Sequence, residues 1–182
     1  EILRGMLRYS TNITAEMVGM AASAHRRGRP LSLRASAREM TGWARATLGM
    51  KTTVLRDHSG LSDRSRLSAT DMAHALAAAQ RRAALRPLLR DFALRDARGR
   101  AVPGHKVQAK TGTLYFVSTL TGYVTPPGGR DLVFAVLTAS DTLRSRIDPA
   151  REERPPGARG WNGRAKRLQR ALIARWSAAY GG

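Results

Sequence analysis

The chain has 182 residues, 42% of them hydrophobic, and its 32 Lys plus Arg against 13 Asp plus Glu give a formal net charge of +19. That length fits one domain or part of a larger one, and the apolar fraction excludes disorder throughout. No run of roughly 18 apolar residues exists, which excludes a transmembrane helix. The start, Glu1-Ile2-Leu3-Arg4-Gly5, lacks the basic and then apolar stretch of a signal peptide. Without Cys there is no disulfide framework and no thiolate nucleophile or metal ligand. All but four of the basic residues are Arg, the exceptions being Lys51, Lys106, Lys110 and Lys166. Scattered Arg reads either as a footprint for a polyanion or as a compositional bias, and the scatter favours the bias.

The first half reads as helices. Ile13, Met17, Met20, Ala21 and Ala24 share a face at helical spacing, with Ser10 or Asn12 as a cap. Arg27-Gly28-Arg29-Pro30 fits the core of a minor-groove hook, and fits equally a turn between helices, which is the preferred reading. Ser36 and Glu39 make a capping box before Met40, Trp43, Ala44 and Leu48, with Gly49 as the stop. Ser68 and Asp71 open a third helix along Met72, Leu76 and Ala79, and Pro87 interrupts its continuation from Leu85 to Phe92.

The pattern then changes to strands: Lys106 to Phe116, Ser118 to Thr125 and Leu132 to Ala139. Pro126-Pro127-Gly128-Gly129 predicts an antiparallel hairpin between the last two. Residues 144–160 read as an irregular crossing segment. The end is a basic amphipathic helix with Ala165, Leu168, Leu172, Trp176 and Ala179 on its buried stripe. A helical part over about 6–95, a strand part over about 105–140 and a closing helix over about 163–180 predict an α+β fold.

Three short motifs carry the chemistry. Lys110-Thr111-Gly112-Thr113 puts a cation and two hydroxyls around a Gly on one strand, a cradle for a carboxylate beside a strand edge. Ser10-Thr11-Asn12 sits at a helix start, where a cap is the plain alternative. Asp57-His58-Ser59-Gly60-Leu61-Ser62 has the composition of an Asx turn. His25, His74 and His105 have no spacing for a metal, and none is expected.

In this order and at these spacings the three motifs resemble the penicillin-binding D-alanyl-D-alanine carboxypeptidase/endopeptidase family, the low-molecular-mass class C serine DD-peptidases. Thr121-Gly122-Tyr123-Val124 and Val133-Phe134-Ala135-Val136-Leu137 are similar to that family's next two strands. The resemblance implies the C-terminal part of a β-lactamase/transpeptidase-like domain. It also implies an acyl-enzyme mechanism on peptidoglycan stem peptides ending in D-Ala-D-Ala, in the periplasm. No cofactor and no nucleic acid are implied, and β-lactams are implied as covalent inhibitors of the complete enzyme. Ser10 would relay a proton to the departing amine, Asn12 would hold the substrate amide, and Lys110 would supply positive potential. Thr111 and Thr113 would bind the terminal carboxylate, the Thr113 N–H would serve the oxyanion, and Gly112 would make room along the strand. Asp57 to Ser62 would be structural, with His58 standing where the family has Gly.

One departure is large. No Ser is followed three positions later by Lys, so the family's Ser-x-x-Lys nucleophile motif is absent from these residues. The expectation is a C-terminal portion of a longer enzyme, inactive and poorly folded alone. The alternatives are a short relative that has lost catalysis, a non-catalytic basic domain binding an anionic polymer, whether cell wall or nucleic acid, and a serine β-lactamase of the same superfamily.

Overall fold

In the computed structural model, which describes residues 1–82, 85–96, 98–148 and 154–181, the apolar periodicity of the first half becomes helices α1 (Ile2–Tyr9), α2 (Asn12–Arg27), α3 (Leu33–Leu48) and α4 (Ala69–Arg81). A 3-10 turn at Arg86–Leu88 follows, with Pro87 in its first positions and α4 already ended at Arg81. Strands β1 (Arg90–Asp91), β2 (Lys106–Leu114), β3 (Val117–Thr125) and β4 (Leu132–Ala139) come next, then α5 (Asp141–Arg144) and α6 (Ala158–Tyr180). The chain divides into two compact units, Glu1–Arg90 and Asp91–Gly182.

In the first unit the predicted stops hold, and several starts and faces do not. Gly28 and Gly49 end α2 and α3 in the left-handed conformation, at φ 67° and 72°, which Gly adopts without steric cost. The turn reading of Arg27 to Pro30 therefore stands. Helix α3 starts earlier than predicted: Ser32 accepts the cap bond from Ala35 N, Ser36 lies inside the helix fully buried, and Glu39 pairs with Arg26 and Arg27. Ser68 caps α4 as predicted, accepting from Asp71 N at 3.0 Å. On α2 the expected core face is wrong, since Ile13 is 77% and Met17 67% exposed while Ser23 is buried. Polar contacts, not apolar periodicity, decide which side of α2 is inside.

The second unit is built on a sheet of order β1-β2-β3-β4, with β2, β3 and β4 antiparallel. Register pairs Val107 with Val124, Ala109 with Gly122, Thr111 with Leu120 and Thr113 with Ser118. Side chains alternate across a strand, so these residues share one face. Helix α6 lies on it, and Ile173 joins Leu94, Val107, Ala109, Leu120, Val124 and Phe134 in the core. The buried stripe of α6 is Ala158, Asn162, Ala165, Gln169, Ile173 and Ser177, whereas Leu168 is 51% exposed. The predicted stripe is thus rotated, because Asn162 donates to Leu114 O and Gln169 to Ser118 O, which brings polar residues inward. Part of the irregular segment predicted over 144–160 falls on residues 149–153, outside the described residues.

Candidate active site

Ser10 and Asn12 lie in the first unit. Ser10 is the C-cap of α1 in the left-handed conformation, φ 56° and ψ 48°, one of two non-Gly residues with positive φ among the described residues. A residue with a Cβ pays about 1–2 kcal/mol for that conformation, and such corners concentrate at functional sites. The expected capping role is not what either residue does. The N-cap of α2 is Thr11, with no side-chain cap bond, and Asn12 is the first helical residue. Both Ser10 and Asn12 are exposed.

One turn along α2, the Glu16 carboxylate accepts from His58 N and Ser59 N and holds the Asp57 to Ser62 segment against the helix. Asp57 closes that segment by accepting from Ser62 N at 2.7 Å and from the hydroxyls of Ser59 and Ser65. His58 is not strained, since it is absent from the positive-φ residues, and Gly60 takes the left-handed position at φ 81°. The His58 ring instead replaces a missing side chain elsewhere: a Cβ at Gly19 would run into its Nδ1 and Cγ. Its Nε2 bonds Ser36 Oγ at 2.7 Å, and Ser36 Oγ bonds Ser23 Oγ at 2.7 Å. Burial pushes the His58 imidazole below its ordinary pKa, against the opposing pull of the Glu16 and Asp57 charges. Sequence reasoning passed over Glu16, whose only signal is an acidic residue on α2 facing a turn rich in N–H donors.

Lys110, Thr111, Gly112 and Thr113 lie in the second unit, along β2. Alternation divides them. Thr111 and Thr113 stand on the α6 face with Val107 and Ala109, while Lys110 and Gly112 belong to the opposite face, paired with Thr121 and Thr119. The Lys110 ammonium donates to Thr111 O at 2.7 Å, and burial pulls it below the usual lysine range. A Cβ on Gly112 would stand 2.5 Å from Thr119 Oγ1, so the nearest claim on that space comes from β3. The two-residue β1 leaves most of the outer edge of nine-residue β2 without a strand partner among the described residues. Chemically this half offers an open strand edge, two hydroxyls on one face and a cation on the other. Among the described residues no three His, Cys, Asp or Glu side chains gather into a metal site.

Helices followed by an antiparallel meander under a closing helix make an α+β fold that solved penicillin-binding enzymes share. Penicillin binding protein 4 of Haemophilus influenzae superposes with a TM-score of 0.69 at 18% identity, covering 96% of this chain and 38% of that one. The same protein complexed with a β-lactam gives 0.64, covering 96% and 40%. A predatory endopeptidase of Bdellovibrio bacteriovorus gives 0.62 at 17% identity, covering 100% and 45%. The chain belongs to the D-Ala-D-Ala carboxypeptidase 3 (S13) family, whose profile matches residues 1–153. Among its relatives, carboxypeptidase DacB of Mycolicibacterium smegmatis is 34% identical over 166 residues, 81% of this chain and 35% of the relative. The chain therefore spans 35–45% of the length of these proteins.

Proposed function

We propose that residues 1–182 form the leaving-group and carboxylate-binding half of a serine D-Ala-D-Ala carboxypeptidase/endopeptidase acting on peptidoglycan outside the cytoplasm. In this reading the acylated serine and its lysine base come from sequence outside these residues. The observation that carries it is the open outer edge of β2 bearing Lys110-Thr111-Gly112-Thr113, in a chain that also keeps Ser10 and Asn12 at a strained helix corner. A peptide stem lies along that edge as an added strand, its carboxylate at the Thr111 and Thr113 hydroxyls. The serine oxygen attacks the penultimate D-alanine carbonyl, and the charge developing on the carbonyl oxygen is met by the Thr113 N–H. As the C–N bond breaks, Ser10 passes a proton to the departing amine while Asn12 holds the substrate amide. Water then cleaves the ester.

The test starts with the coding sequence upstream of Glu1. Its complete product is expressed and exposed to fluorescent penicillin. An upstream Ser-x-x-Lys, and covalent labelling abolished by changing that Ser, are expected. A complete reading frame without that motif, whose product takes no label, overturns the proposal in favour of a basic binding domain.

A further inference from the structure

A cavity of about 130 Å³ opens on the α6 side of the β2–β3 hairpin, walled by Thr111, Thr113 and Ser118 from the strands and by Lys166, Gln169 and Arg170 from the helix. Its lining sets hydroxyls, an amide and two cations beside Phe92 and Leu120, with no carboxylate. Lys166 and Arg170 are one helical turn apart and flank the same opening. The Arg170 guanidinium carbon sits 5.6 Å from the centroid of the Phe92 ring, which fixes its place at the wall. Arg170 Nε is buried and has no hydrogen-bond partner, whereas the Gln169 amide is already committed to Ser118. A buried, charged N–H without an acceptor is costly, and an anion in the cavity offsets that cost through the charge it places beside the guanidinium. A water needs only about 10–15 Å³ of such space, so a carboxylate with its waters fits.

We propose that Lys166 and Arg170 of α6, rather than Lys110, neutralise the carboxylate end of the substrate, which enters between them and the Thr111 and Thr113 hydroxyls. This rests on the peptidase reading above and reassigns the charge that the resemblance gives to Lys110. The reason is geometric. Lys110 leaves β2 on the face away from both threonine hydroxyls, and its ammonium donates to the Thr111 carbonyl. Arg170 and Lys166 stand on the threonines' own side, and a guanidinium fork with a nearby point charge is the usual partner of a planar carboxylate. The sequence signal for the pair is two cations one turn apart on α6, facing a strand of hydroxyls.

The test uses the complete reading-frame product and compares its acylation rate with benzylpenicillin against that with benzylpenicillin methyl ester, which lacks the carboxylate. Arg170→Gln and Lys166→Gln should each slow the acid about tenfold to a hundredfold, the loss expected for one charge-assisted contact, and leave the ester unchanged. Arg170→Lys should recover part of the loss, and added salt should slow the wild type with the acid only. Lys166 is exposed, so its variant reports even if Arg170→Gln unfolds. Equal slowing of both reagents, or no slowing of the acid by Lys166→Gln, overturns the assignment while the peptidase reading stands. Labelling by neither reagent in the wild type overturns the peptidase reading and takes this assignment with it.

Discussion

Residues 1–90 and 91–182 differ in the apolar side chains they bury, while each also buries polar ones, Ser118, Thr121, Asn162, Gln169 and Ser177 in the second unit. The first unit hides mostly Ala among its apolar residues, together with Ser23, Ser36, Thr41, Thr53 and Asp71. The second hides Leu94, Val107, Leu120, Val124, Phe134 and Ile173 in one contiguous cluster. Apolar burial is non-directional and scales with area, so the large apolar cluster of the second unit adds volume and shape to the polar anchors of α6. Hydrogen-bonded networks are directional and depend on protonation, so the first unit owes its arrangement to partners being present in the right charge state.

Cutting the apolar cluster is the most severe way to separate the two. Ile173→Ala should cost about 2–5 kcal/mol, with little dependence on pH, read from chemical denaturation followed by Trp fluorescence. A loss below about 1 kcal/mol would show that the cluster is not the second unit's main support.

Asp71 tests the other side of the contrast. Burial alone would raise its carboxyl, but donors from Thr53 and Thr52 outweigh that and hold it at about 2, below its ordinary 3.8. A carboxylate depressed in the fold contributes stability that is complete above the unfolded value and is lost as pH falls through the folded one. The first unit's urea midpoint should therefore drop between about pH 4 and pH 2, and Asp71→Asn should remove that drop at the cost of lower stability at neutral pH. An unchanged acid limb in Asp71→Asn would place the pH dependence elsewhere. His58, depressed by burial, follows the same sign: its share is present above about 6.5 and declines as pH falls toward its lowered value.

The finest test lies in the Gly19–His58 pair. Gly→Ala inside a helix normally stabilises by about 0.5–1 kcal/mol. Here Gly19→Ala should destabilise, because its Cβ meets the His58 ring. In a His58→Gly background the same change should regain the ordinary gain. Additive effects in the double-mutant cycle would mean that the ring does not own that space.

The strands were legible in the sequence because β2, β3 and β4 alternate or run apolar and are bounded by Pro-Gly turns. The β2–β3 turn was not, since Tyr115-Phe116 contains no Gly, Asn or Asp. Phe116 takes φ 56° there, with its ring buried and in edge contact with Trp161, centroids 6.2 Å apart. Tertiary packing supplies what turn chemistry lacks. Helix α1 is short and buries none of its side chains, although Ile2, Leu3, Met6 and Leu7 share a face at helical spacing. The α6 stripe was rotated because Asn162 and Gln169 face inward to reach strand carbonyls, and apolar counting assigns them outward. The candidate site was legible as residue types in order, Ser10-x-Asn12 and Lys110 to Thr113. Which face each side chain takes required the register, and that separated Lys110 from the threonines it was grouped with.

The anchoring of α6 to the carbonyls of Leu114 and Ser118 has a consequence for errors in assembly. A hairpin that slips by one residue keeps most of its backbone bonds yet turns every side chain to the other face. Lys110 and Gly112 would then meet α6, and both threonines would leave it. Two features oppose that mistake. Asn162 and Gln169 grip fixed points on either side of the Tyr115-Phe116 turn. At Gly122 a Cβ would collide with the Gln108 carbonyl, so only a side chain of no size can sit opposite Ala109. Helix and glycine together act as a proofreading pair for the hairpin, rejecting a sheet that would be well bonded and chemically inverted.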